Sequence, residues 1–424
     1  MQWIPLLIVA PSSHRSAKCT ELTSSCPEWH VTQDWRRVEC GPGKADRALA
    51  VNALTGNRSE LHHTAFSLVR PWQGEYLAEE DVITDFLGFR APTKLYCNRA
   101  YCSSGFKDQT DAHAIRCRLC EVHKRLQKRL MATPMRLSMQ LPVVAEEYFE
   151  YADVLACVGA YVDEITILPL DSVRPFAFVE VGAGYGHWTF AAHLALKQLL
   201  KWRGLSLQPR YRYLLIDIVR AEKVVFNLTQ LNHLETDGPD GFVDFVTASI
   251  TPSGRLTDGL VSDEESRSFA KWMAGIYAES WGVNFAASRK VRAMTLEQAL
   301  AVHDMPCLVD MVDMDIQGSE YIVLMSDATL QMLTDRVARI HVGLHKDLTH
   351  ADGDVANHAL ISRFRALGWQ LHWHFIARGD SKPQPTSWGP VQFGDGVLAM
   401  LNPRRPLGLQ CELMKASASP RTKK

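Results

Sequence analysis

The amino-acid sequence predicts an α/β protein with a doubly wound, mostly parallel sheet, preceded by a cysteine-rich region. From Phe176 onward, apolar strand-like segments alternate with amphipathic helix-like segments, which is the pattern of a parallel sheet covered on both faces. A glycine-rich turn, residues 182–186, follows the first of these strands. Eight of the ten cysteines precede residue 158, which sets the N-terminal part of the chain apart.

Composition and charge limit the class of protein. The 424 residues leave room for two or three domains, and 46% hydrophobic with 22% charged residues is usual for a soluble globular chain. A net charge of −1 creates no overall field for nucleic acid, so we do not expect a nucleic-acid partner. No apolar run reaches the roughly 18–20 residues that span a bilayer. The apolar start, Met1–Ala10, lacks a basic segment ahead of it, which favours a frayed end over a secretory signal and the cytoplasm over secretion.

The chain divides into four predicted regions. Residues 1–90 are polar and weakly periodic, and form a poorly defined N-terminal region. Residues 91–134 contain the densest cysteines and end in a basic helical stretch, which Thr133-Pro134 should break because proline disfavours helical geometry in the residue before it. Residues 135–410 form the predicted α/β domain. The polar, basic residues 411–424 are predicted to be a disordered tail.

Apolar runs and their periodicity predict the elements of the α/β domain. The predicted strands are Ala177–Val181, Tyr213–Ile216, Phe242–Thr247, Cys307–Met314 and Arg339–Leu344. The predicted helices are Glu146–Val162, His187–Lys201, Ala221–Leu234, Asp263–Glu279 (capped by Ser262) and Leu296–His303. In such a sheet, ligands bind beyond the carboxyl ends of the parallel strands, so the residues after each strand are the candidates for a site.

Three glycines at alternate positions, Gly182, Gly184 and Gly186, follow the first predicted strand. Glycine is needed where the backbone turns tightly and approaches a ligand without a Cβ in the way. A dinucleotide-binding loop requires Gly-x-Gly-x-x-Gly, but His187 occupies the third glycine position here. This spacing argues against NAD and favours the S-adenosylmethionine version of the loop. Glu180, at the end of the strand, is placed to accept from the cofactor's amino group or to lie near its cationic methionine end.

The ends of the next two predicted strands extend this candidate cofactor site. Asp217 follows the second strand, where a carboxylate accepts hydrogen bonds from both ribose hydroxyls of a nucleoside. A solvated strand end or a helix cap is the alternative role for Asp217 alone. The segment Phe245–Ser249 ends the third strand, and we expect Ala248 to border the adenine.

A third acidic segment follows the fourth predicted strand. Asp315 ends the apolar run, the chain turns through Gly318, and Glu320 opens the next helix. Because ligands lie beyond the strand ends, we expect Asp315 to face the cleft. Capping and turn formation are the alternative roles, since acidic residues are favourable at helix N-termini. We favour a structural role for Glu320 and a functional role for Asp315.

Together these segments resemble the FkbM family of class I, S-adenosylmethionine-dependent methyltransferases. In that family the fourth strand commonly reads Lys-Ile-Asp-Val-(Glu or Gln)-Gly-(Ala or Ser)-Glu, which Asp313–Glu320 matches except at Asp313. The next strand usually ends in Glu-Ile-His, and Gly343–His345 keeps the histidine without the glutamate. The resemblance covers about Pro142 to Asn402. It also includes Thr295–Glu297, His341–His345 and Gly394–Leu398.

The resemblance implies S-adenosylmethionine as cofactor and O-methylation of a hydroxyl on a sugar or other small metabolite. A hydroxyl acceptor gains from a base that takes its proton. His345 is our first candidate for this base and Asp315 the second, as base or as orienter of the acceptor. If His345 is the base, activity should rise with pH near the usual histidine pKa of about 6.5. His341 is expected to be structural, and residues 248–294 to form an acceptor lid or an ordinary core helix.

Four cysteines have the spacing of a structural zinc site. Cys97 and Cys102 form C-x4-C, and after fourteen residues Cys117 and Cys120 form C-x2-C. Four thiolates at such spacing commonly close a tetrahedron around zinc. Disulfides in an oxidising compartment and free buried cysteines are the alternatives that the spacing leaves open.

A second class of function remains besides the enzyme. The chain could be a catalytically inactive, methyltransferase-like binding module with a zinc-binding N-terminal region. The departures from the family pattern at Asp313 and Gly343 favour this reading, whereas the intact Glu180, Gly182 and Asp217 argue against it. An NAD-dependent oxidoreductase is disfavoured by the glycine spacing.

Overall fold

A computed structural model of the chain describes its α/β part and several N-terminal segments. The described residues are 29–31, 38–40, 63–76, 82–96, 135–138, 141–142, 146–169, 172–205, 208–218, 221–238, 240–255, 292–316, 318–345, 353–376, 383–387, 389–391, 393 and 395–403. The four cysteines of the predicted zinc site, the predicted helix Asp263–Glu279 and the predicted tail lie outside these residues. No helix within these ranges is both long and apolar enough to cross a bilayer.

The described residues form sixteen strands, eight α-helices and one short 3-10 helix at Thr64–Leu68. The strands are β1 (Trp29–Val31), β2 (Val38–Cys40), β3 (Gln73–Tyr76), β4 (Val82–Thr84), β5 (Arg90–Pro92), β6 (Met135–Ser138), β7 (Phe176–Val181), β8 (Tyr211–Asp217), β9 (Gly241–Ile250), β10 (Arg292–Met294), β11 (Met311–Met314), β12 (Arg339–Leu344), β13 (Gln370–Phe375), β14 (Gln384–Thr386), β15 (Gly389–Val391) and β16 (Gly396–Leu401). The helices are α1 (Thr93–Tyr96), α2 (Glu146–Ile165), α3 (His187–Trp202), α4 (Glu222–Leu231), α5 (Leu296–Val302), α6 (Glu320–Leu324), α7 (Asp327–Arg336) and α8 (Gly353–Ala366).

The main sheet has eight strands in the order β10-β9-β8-β7-β11-β12-β16-β13. All neighbours are parallel except β16, which runs antiparallel between β12 and β13. From β7 the chain proceeds outward through β8, β9 and β10, then returns to place β11 on the other side of β7. This reversal makes the carboxyl ends of β7 and β11 the topological switch point, where open α/β sheets form a ligand crevice.

Helices cover both faces of this sheet, as the alternation of elements predicts. On one face, Phe178 and Tyr213 pack against α2, α3 and α4. On the other face, Val179 and Leu214 pack against α5, α6, α7 and α8. Neighbouring strand residues point to opposite faces, so strands buried on both sides are largely apolar. The mixed α/β class and the mostly parallel sheet are therefore confirmed.

A buried ion pair holds the amino ends of the two central strands together. The Asp310 carboxylate accepts two hydrogen bonds of 2.6 Å from the Arg174 guanidinium. It also accepts a 2.9 Å bond from the backbone N–H of Ala177, in β7. Asp310 directly precedes β11 and is 2% exposed. This contact fixes the register of β7 against β11, and with it the loops at their carboxyl ends.

Apolar residues of the N-terminal segments 63–76 and 82–96 pack on the same core as the α/β elements, and the boundary at Thr133-Pro134 stays a prediction. The Phe66 ring stacks on Tyr148 of α2 with centroids 4.6 Å apart. The Asn232 side chain exchanges two hydrogen bonds with the backbone of Arg90, at 2.7 and 2.8 Å. Such contacts join residues far apart in the chain, so local composition does not reveal them.

Most predicted elements of the α/β domain are confirmed to within a few residues, and β9 is the main difference. The predicted strand Phe242–Thr247 continues to Ile250, because its end pairs with the short edge strand β10. The predicted strand Cys307–Met314 is shorter, since only Met311–Met314 pairs as β11.

Asp85 shapes the turn between β4 and β5. Its Oδ1 accepts 2.8 Å hydrogen bonds from the backbone N–H groups of Leu87 and Phe89, and its side chain is buried. Burial raises the pKa of the Asp85 carboxyl to about 7, although these hydrogen bonds oppose the shift. The folded protein therefore binds a proton here that the unfolded chain releases near pH 4.

We expect this site to make stability fall as pH rises from about 4 to about 7. The pKa of Asp85 is higher in the folded protein than in the unfolded chain. Its contribution to the free energy of unfolding is therefore fully present below about pH 4 and is lost as pH rises through about 7. The loss is of order 3–4 kcal/mol. Asp85→Asn keeps an acceptor oxygen for both N–H groups and carries no charge, so its urea midpoint should depend less on pH between 5 and 8. An unchanged pH dependence in this variant would contradict the assignment.

Candidate functional site

The glycine turn at the carboxyl end of β7 has the conformation that its sequence predicts. Gly182, Gly184 and Gly186 have φ angles of 86°, 53° and 85°, all in the left-handed region that disfavours other residues. A Cβ at Gly182 would lie 1.6 Å from the backbone oxygen of Asp315. A Cβ at Gly186 would lie 2.4 Å from Leu215 Cδ2. The turn thus passes directly over β8 and β11 before α3 begins.

Asp217, at the carboxyl end of β8, holds this turn in place. Its Oδ2 accepts a 2.6 Å hydrogen bond from the backbone N–H of Gly184. The preceding backbone oxygen, of Ile216, accepts from the N–H groups of Gly182 and Ala183 at 2.8 and 3.1 Å. The structure therefore brings Asp217 and the glycine turn together, as the sequence predicts for the two halves of a nucleoside site.

Glu180 lies beneath the turn, with its carboxylate directed into the start of α3. Its Oε2 accepts from the Thr189 N–H at 2.9 Å and from the Thr189 hydroxyl at 2.5 Å, and its Oε1 accepts from the Trp188 N–H at 3.4 Å. Glu180 is 2% exposed, and burial raises its pKa to about 7. In this arrangement the Glu180 carboxylate binds the N-terminus of α3, and its contact with the cofactor stays a prediction.

Ala248 lies inside β9, because that strand extends past the predicted end. Its side chain is 2% exposed and packs with Ile216 in the core on the opposite face from Asp217. Thr247, its neighbour, is the register partner of Asp217. Ala248 therefore follows the residue that pairs with Asp217, but its own side chain is directed away from the glycine turn.

A polar cluster forms at the carboxyl ends of β11 and β12 around His345. The Nδ1 atom of His345 lies 2.8 Å from Glu320 Oε1. Its Nε2 atom lies 3.3 Å from Asp315 Oδ1 and 3.5 Å from Asp395 Oδ2. Glu320 is fully buried, whereas the side chains of Asp315 and Asp395 are 44% and 49% exposed. His345 therefore stands between one internal carboxylate and two that face outward.

Glu320 also completes the turn between β11 and α6. Its two carboxylate oxygens accept from the backbone N–H groups of Ile316 and Gly318 at 2.8 and 2.7 Å. Glu320 is thus a turn residue that in addition fixes the ring of His345. A carboxylate on one ring nitrogen determines which nitrogen faces the cleft.

The electrostatics of this cluster differ from the expectation that His345 acts as a neutral base near pH 6.5. Burial alone lowers the pKa of the imidazole, but the charge of Asp315 and the contacts with Asp395 and Glu320 outweigh it. The pKa of His345 is consequently raised well above its ordinary value. A raised pKa favours the imidazolium form of His345, which attracts the carboxylates around it.

A segment from the N-terminal part of the chain packs against the glycine turn. The ring of Phe89 stacks on Tyr185, with centroids 6.3 Å apart, and meets His187 edge-on at 5.4 Å. The Tyr151 hydroxyl of α2 lies 2.7 Å from His187 Nε2. The sequence pattern did not predict this contribution, because nothing near residue 89 marks it as part of a site.

Two further residues lie at this cluster that the sequence did not assign to the site. Asp395 precedes β16, and Gly343 lies within β12 beside the histidine cluster. A Cβ at Gly343 would stand 3.5 Å from both Asp315 Cγ and His345 Cε1. A larger side chain at this position would therefore contact both Asp315 and His345. Asp395 reaches this edge because β16 runs antiparallel to β12, so the residues before β16 meet the carboxyl end of β12.

No family model matches the chain, and no curated protein matches it significantly. Among solved structures, WbdD with the kinase inhibitor LY294002 is 12% identical with a TM-score of 0.30, over 61% of this chain. This chain spans 42% of the length of that one. Magnesium protoporphyrin IX methyltransferase from Synechocystis PCC 6803, with bound SAM, is 10% identical with a TM-score of 0.27, over 60% and 79% of the two chains. Human methyltransferase 10 domain containing protein is 12% identical with a TM-score of 0.28, over 61% and 84%. Matches this distant do not define an activity or a substrate.

Proposed function

We propose that the chain is an S-adenosylmethionine-dependent methyltransferase that methylates a hydroxyl group on a sugar or other small metabolite. The observation that carries the proposal is the left-handed glycine turn at the switch point, held by Asp217 from the neighbouring strand. A crevice at this position is where open α/β sheets bind nucleotide-like ligands. The glycine spacing argues against a dinucleotide as that ligand.

The residues present fit the methyl donor. The turn carries no side chain at Gly182, Gly184 or Gly186, so its backbone can approach a ligand closely. Asp217 stands at the next strand end, where a carboxylate binds ribose hydroxyls. S-adenosylmethionine, when bound, supplies a methyl group on a cationic sulfur. Much of the work left to the protein is then to position the acceptor.

Asp315 is the group best placed to act on that acceptor. Its carboxylate is half-exposed at the end of β11, next to the glycine turn, because its backbone N–H donates a 2.8 Å bond to Val181. Glu320 fixes the ring of a cationic His345, whose Nε2 atom lies 3.3 Å from Asp315 Oδ1 and orients that carboxylate. We propose that Asp315 accepts the hydrogen bond of the acceptor hydroxyl and takes its proton as the oxygen is methylated. His345 then serves as the orienting cation, in place of the base first predicted.

Calorimetry with S-adenosylmethionine, S-adenosylhomocysteine and NAD in parallel tests the cofactor. We expect both adenosyl compounds to bind and NAD to give no heat of binding. Asp217→Asn is the sharpest variant, because an asparagine oxygen can still accept from the Gly184 N–H while the second acceptor oxygen becomes an amide donor. Its affinity for S-adenosylhomocysteine should fall about tenfold or more, equivalent to about 1.4 kcal/mol.

Glu222→Gln is the matched control for Asp217→Asn. Glu222 opens α4 at the same edge of the sheet, and its carboxylate accepts from the Thr247 hydroxyl at 2.5 Å without touching the glycine turn. The affinity of Glu222→Gln for S-adenosylhomocysteine should match that of the unmodified protein. Equal affinities in the two variants, with both folded, would remove the ribose assignment, and binding of NAD alone would remove the proposed function.

A further inference from the structure

A second cluster of potential ligands lies deeper in the protein than the His345 cluster. Asp313 of β11 and His341 of β12 are register partners on the sheet face that α2 covers. Glu150 of α2 approaches both of them. One oxygen or nitrogen atom from each of these three residues lies within 4.8 Å of the others. The three side chains come from three different elements, so the cluster is a product of the fold.

Asp313 supplies the observation that points to a missing ligand. The residue is 1% exposed, and its buried Oδ1 atom has no hydrogen-bond partner among the described residues. Burying a carboxylate oxygen away from water without compensation is unfavourable by several kcal/mol, so such groups are normally paired or coordinate a metal. Asp313 therefore brings an uncompensated carboxylate to a cluster of potential ligands, where a cation would satisfy it.

His341 is prepared as a ligand by the residues behind it. Its Nδ1 lies 2.7 Å from Asp153 Oδ2, which leaves Nε2 as the nitrogen for a ligand. Asp153 is fully buried and also accepts from Arg339 at 2.6 Å and from His372 at 2.8 Å. A carboxylate that binds the far nitrogen of a histidine is the usual outer support of a metal-bound imidazole.

We infer that Glu150, Asp313 and His341 bind one divalent cation of the first transition series, with Zn²⁺ and Mn²⁺ as the candidates. Two carboxylates and one imidazole suit these ions, whereas Ca²⁺ and Mg²⁺ prefer oxygen ligands alone. The cation compensates the buried Asp313 oxygen and joins α2 to β11 and β12 beneath the cleft. The site is independent of the proposed methyl transfer and of the four N-terminal cysteines.

Metal analysis of the purified full chain tests the inference, with the variant Cys117→Ser/Cys120→Ser as the parent so that a cysteine site does not contribute. About one zinc or manganese per chain should remain in this parent. Asp313→Asn and His341→Gln, each in the same background, should lose it. Asp310→Asn is the matched control, since Asp310 is equally buried and belongs to the same segment but pairs with Arg174. The Asp310→Asn variant should retain the metal even if the substitution lowers the stability of the protein.

Thermal unfolding provides a second measurement that does not depend on the yield of bound metal. After chelation, added Mn²⁺ or Zn²⁺ should raise the unfolding midpoint of the parent by several degrees, because an ion that binds only the folded state stabilises it. The midpoint of Asp313→Asn should not respond. If Asp313→Asn does not fold, the parent and His341→Gln still decide the question.

A proton shared by the carboxyls of Asp313 and Glu150 is the competing explanation. In that case the parent would contain no metal, millimolar Mn²⁺ or Zn²⁺ would leave its unfolding midpoint unchanged, and Asp313→Asn would be at least as stable. This combination of results would overturn the inference. Retention of the metal by both Asp313→Asn and His341→Gln would overturn it as well.

Discussion

Gly182→Ala is expected to lose a large part of the stability of the fold and all measurable binding of S-adenosylhomocysteine. Two effects add at this position. The φ angle of 86° is strained for alanine, which costs about 1–2 kcal/mol. The added Cβ would also meet the Asp315 backbone oxygen at 1.6 Å, and overpacking of this kind costs about 1–3 kcal/mol or more. The sum is a large part of a typical stability of about 5–15 kcal/mol.

Urea denaturation of Gly182→Ala beside Gly204→Ala separates the two effects. Gly204 also has a positive φ, of 68°, but apart from its chain neighbours no heavy atom of the described residues lies within 4 Å of the Cβ that alanine would add there. Gly204→Ala should therefore lose only the strain, about 1 kcal/mol, and should bind S-adenosylhomocysteine normally. If both variants lose the same stability, the close passage of the turn over β11 is not a real constraint.

Asp315→Asn is expected to reduce turnover about a hundredfold to ten-thousandfold, the usual contribution of a positioned acid or base. Affinity for S-adenosylhomocysteine should remain within about threefold, because Asp315 acts on the acceptor. A screen of sugars and small hydroxylated metabolites with labelled methyl donor must first identify an acceptor. Asp240→Asn is the matched control: its carboxylate is 51% exposed, similar to Asp315, but lies before β9 at the opposite edge of the sheet.

The pH profile of the same reaction distinguishes the two roles considered for His345. The pKa of His345 is raised well above its ordinary value, mainly by the charge of Asp315, which favours the charged ring. As an orienting cation it should give no loss of activity as pH falls through about 6.5. As the base, it would require alkaline pH for activity, and Asp315→Asn would leave a substantial rate. A profile that rises only above neutrality, together with an active Asp315→Asn, would assign the base to His345.

The sequence could predict those parts of the site that follow one another along the chain. The strand, the glycine turn and helix α3 occupy consecutive residues, and Gly182 needs a left-handed turn whatever lies around it. Asp217 and Asp315 were predicted by the same local rule, that polar residues directly after a parallel strand reach the ligand edge. These features depend on a few residues each, so periodicity and spacing were sufficient.

The remaining parts depend on contacts between distant residues. The Glu180 carboxylate lies beneath α3, where it accepts from N–H groups of the first helical turn, which have no partner within the helix. Asp153 lies in the middle of α2, and only the folded chain brings it to Arg339 and His341, nearly two hundred residues later. A raised pKa at His345 likewise follows from three carboxylates that the sequence scatters between 315 and 395.

The position of β7 at the centre of the sheet also has a consequence for synthesis of the chain. Its partner on one side, β8, follows closely, but its partner on the other side, β11, lies 133 residues further on, as the Ala177–Asp310 contact shows. A ribosome that adds about 5–20 residues per second needs roughly 7–27 seconds to cover that distance. During this interval the emerging chain holds a central strand with one unpaired edge, a surface that invites pairing with other chains. Chaperone binding at this stage would protect the nascent sheet until the second half arrives.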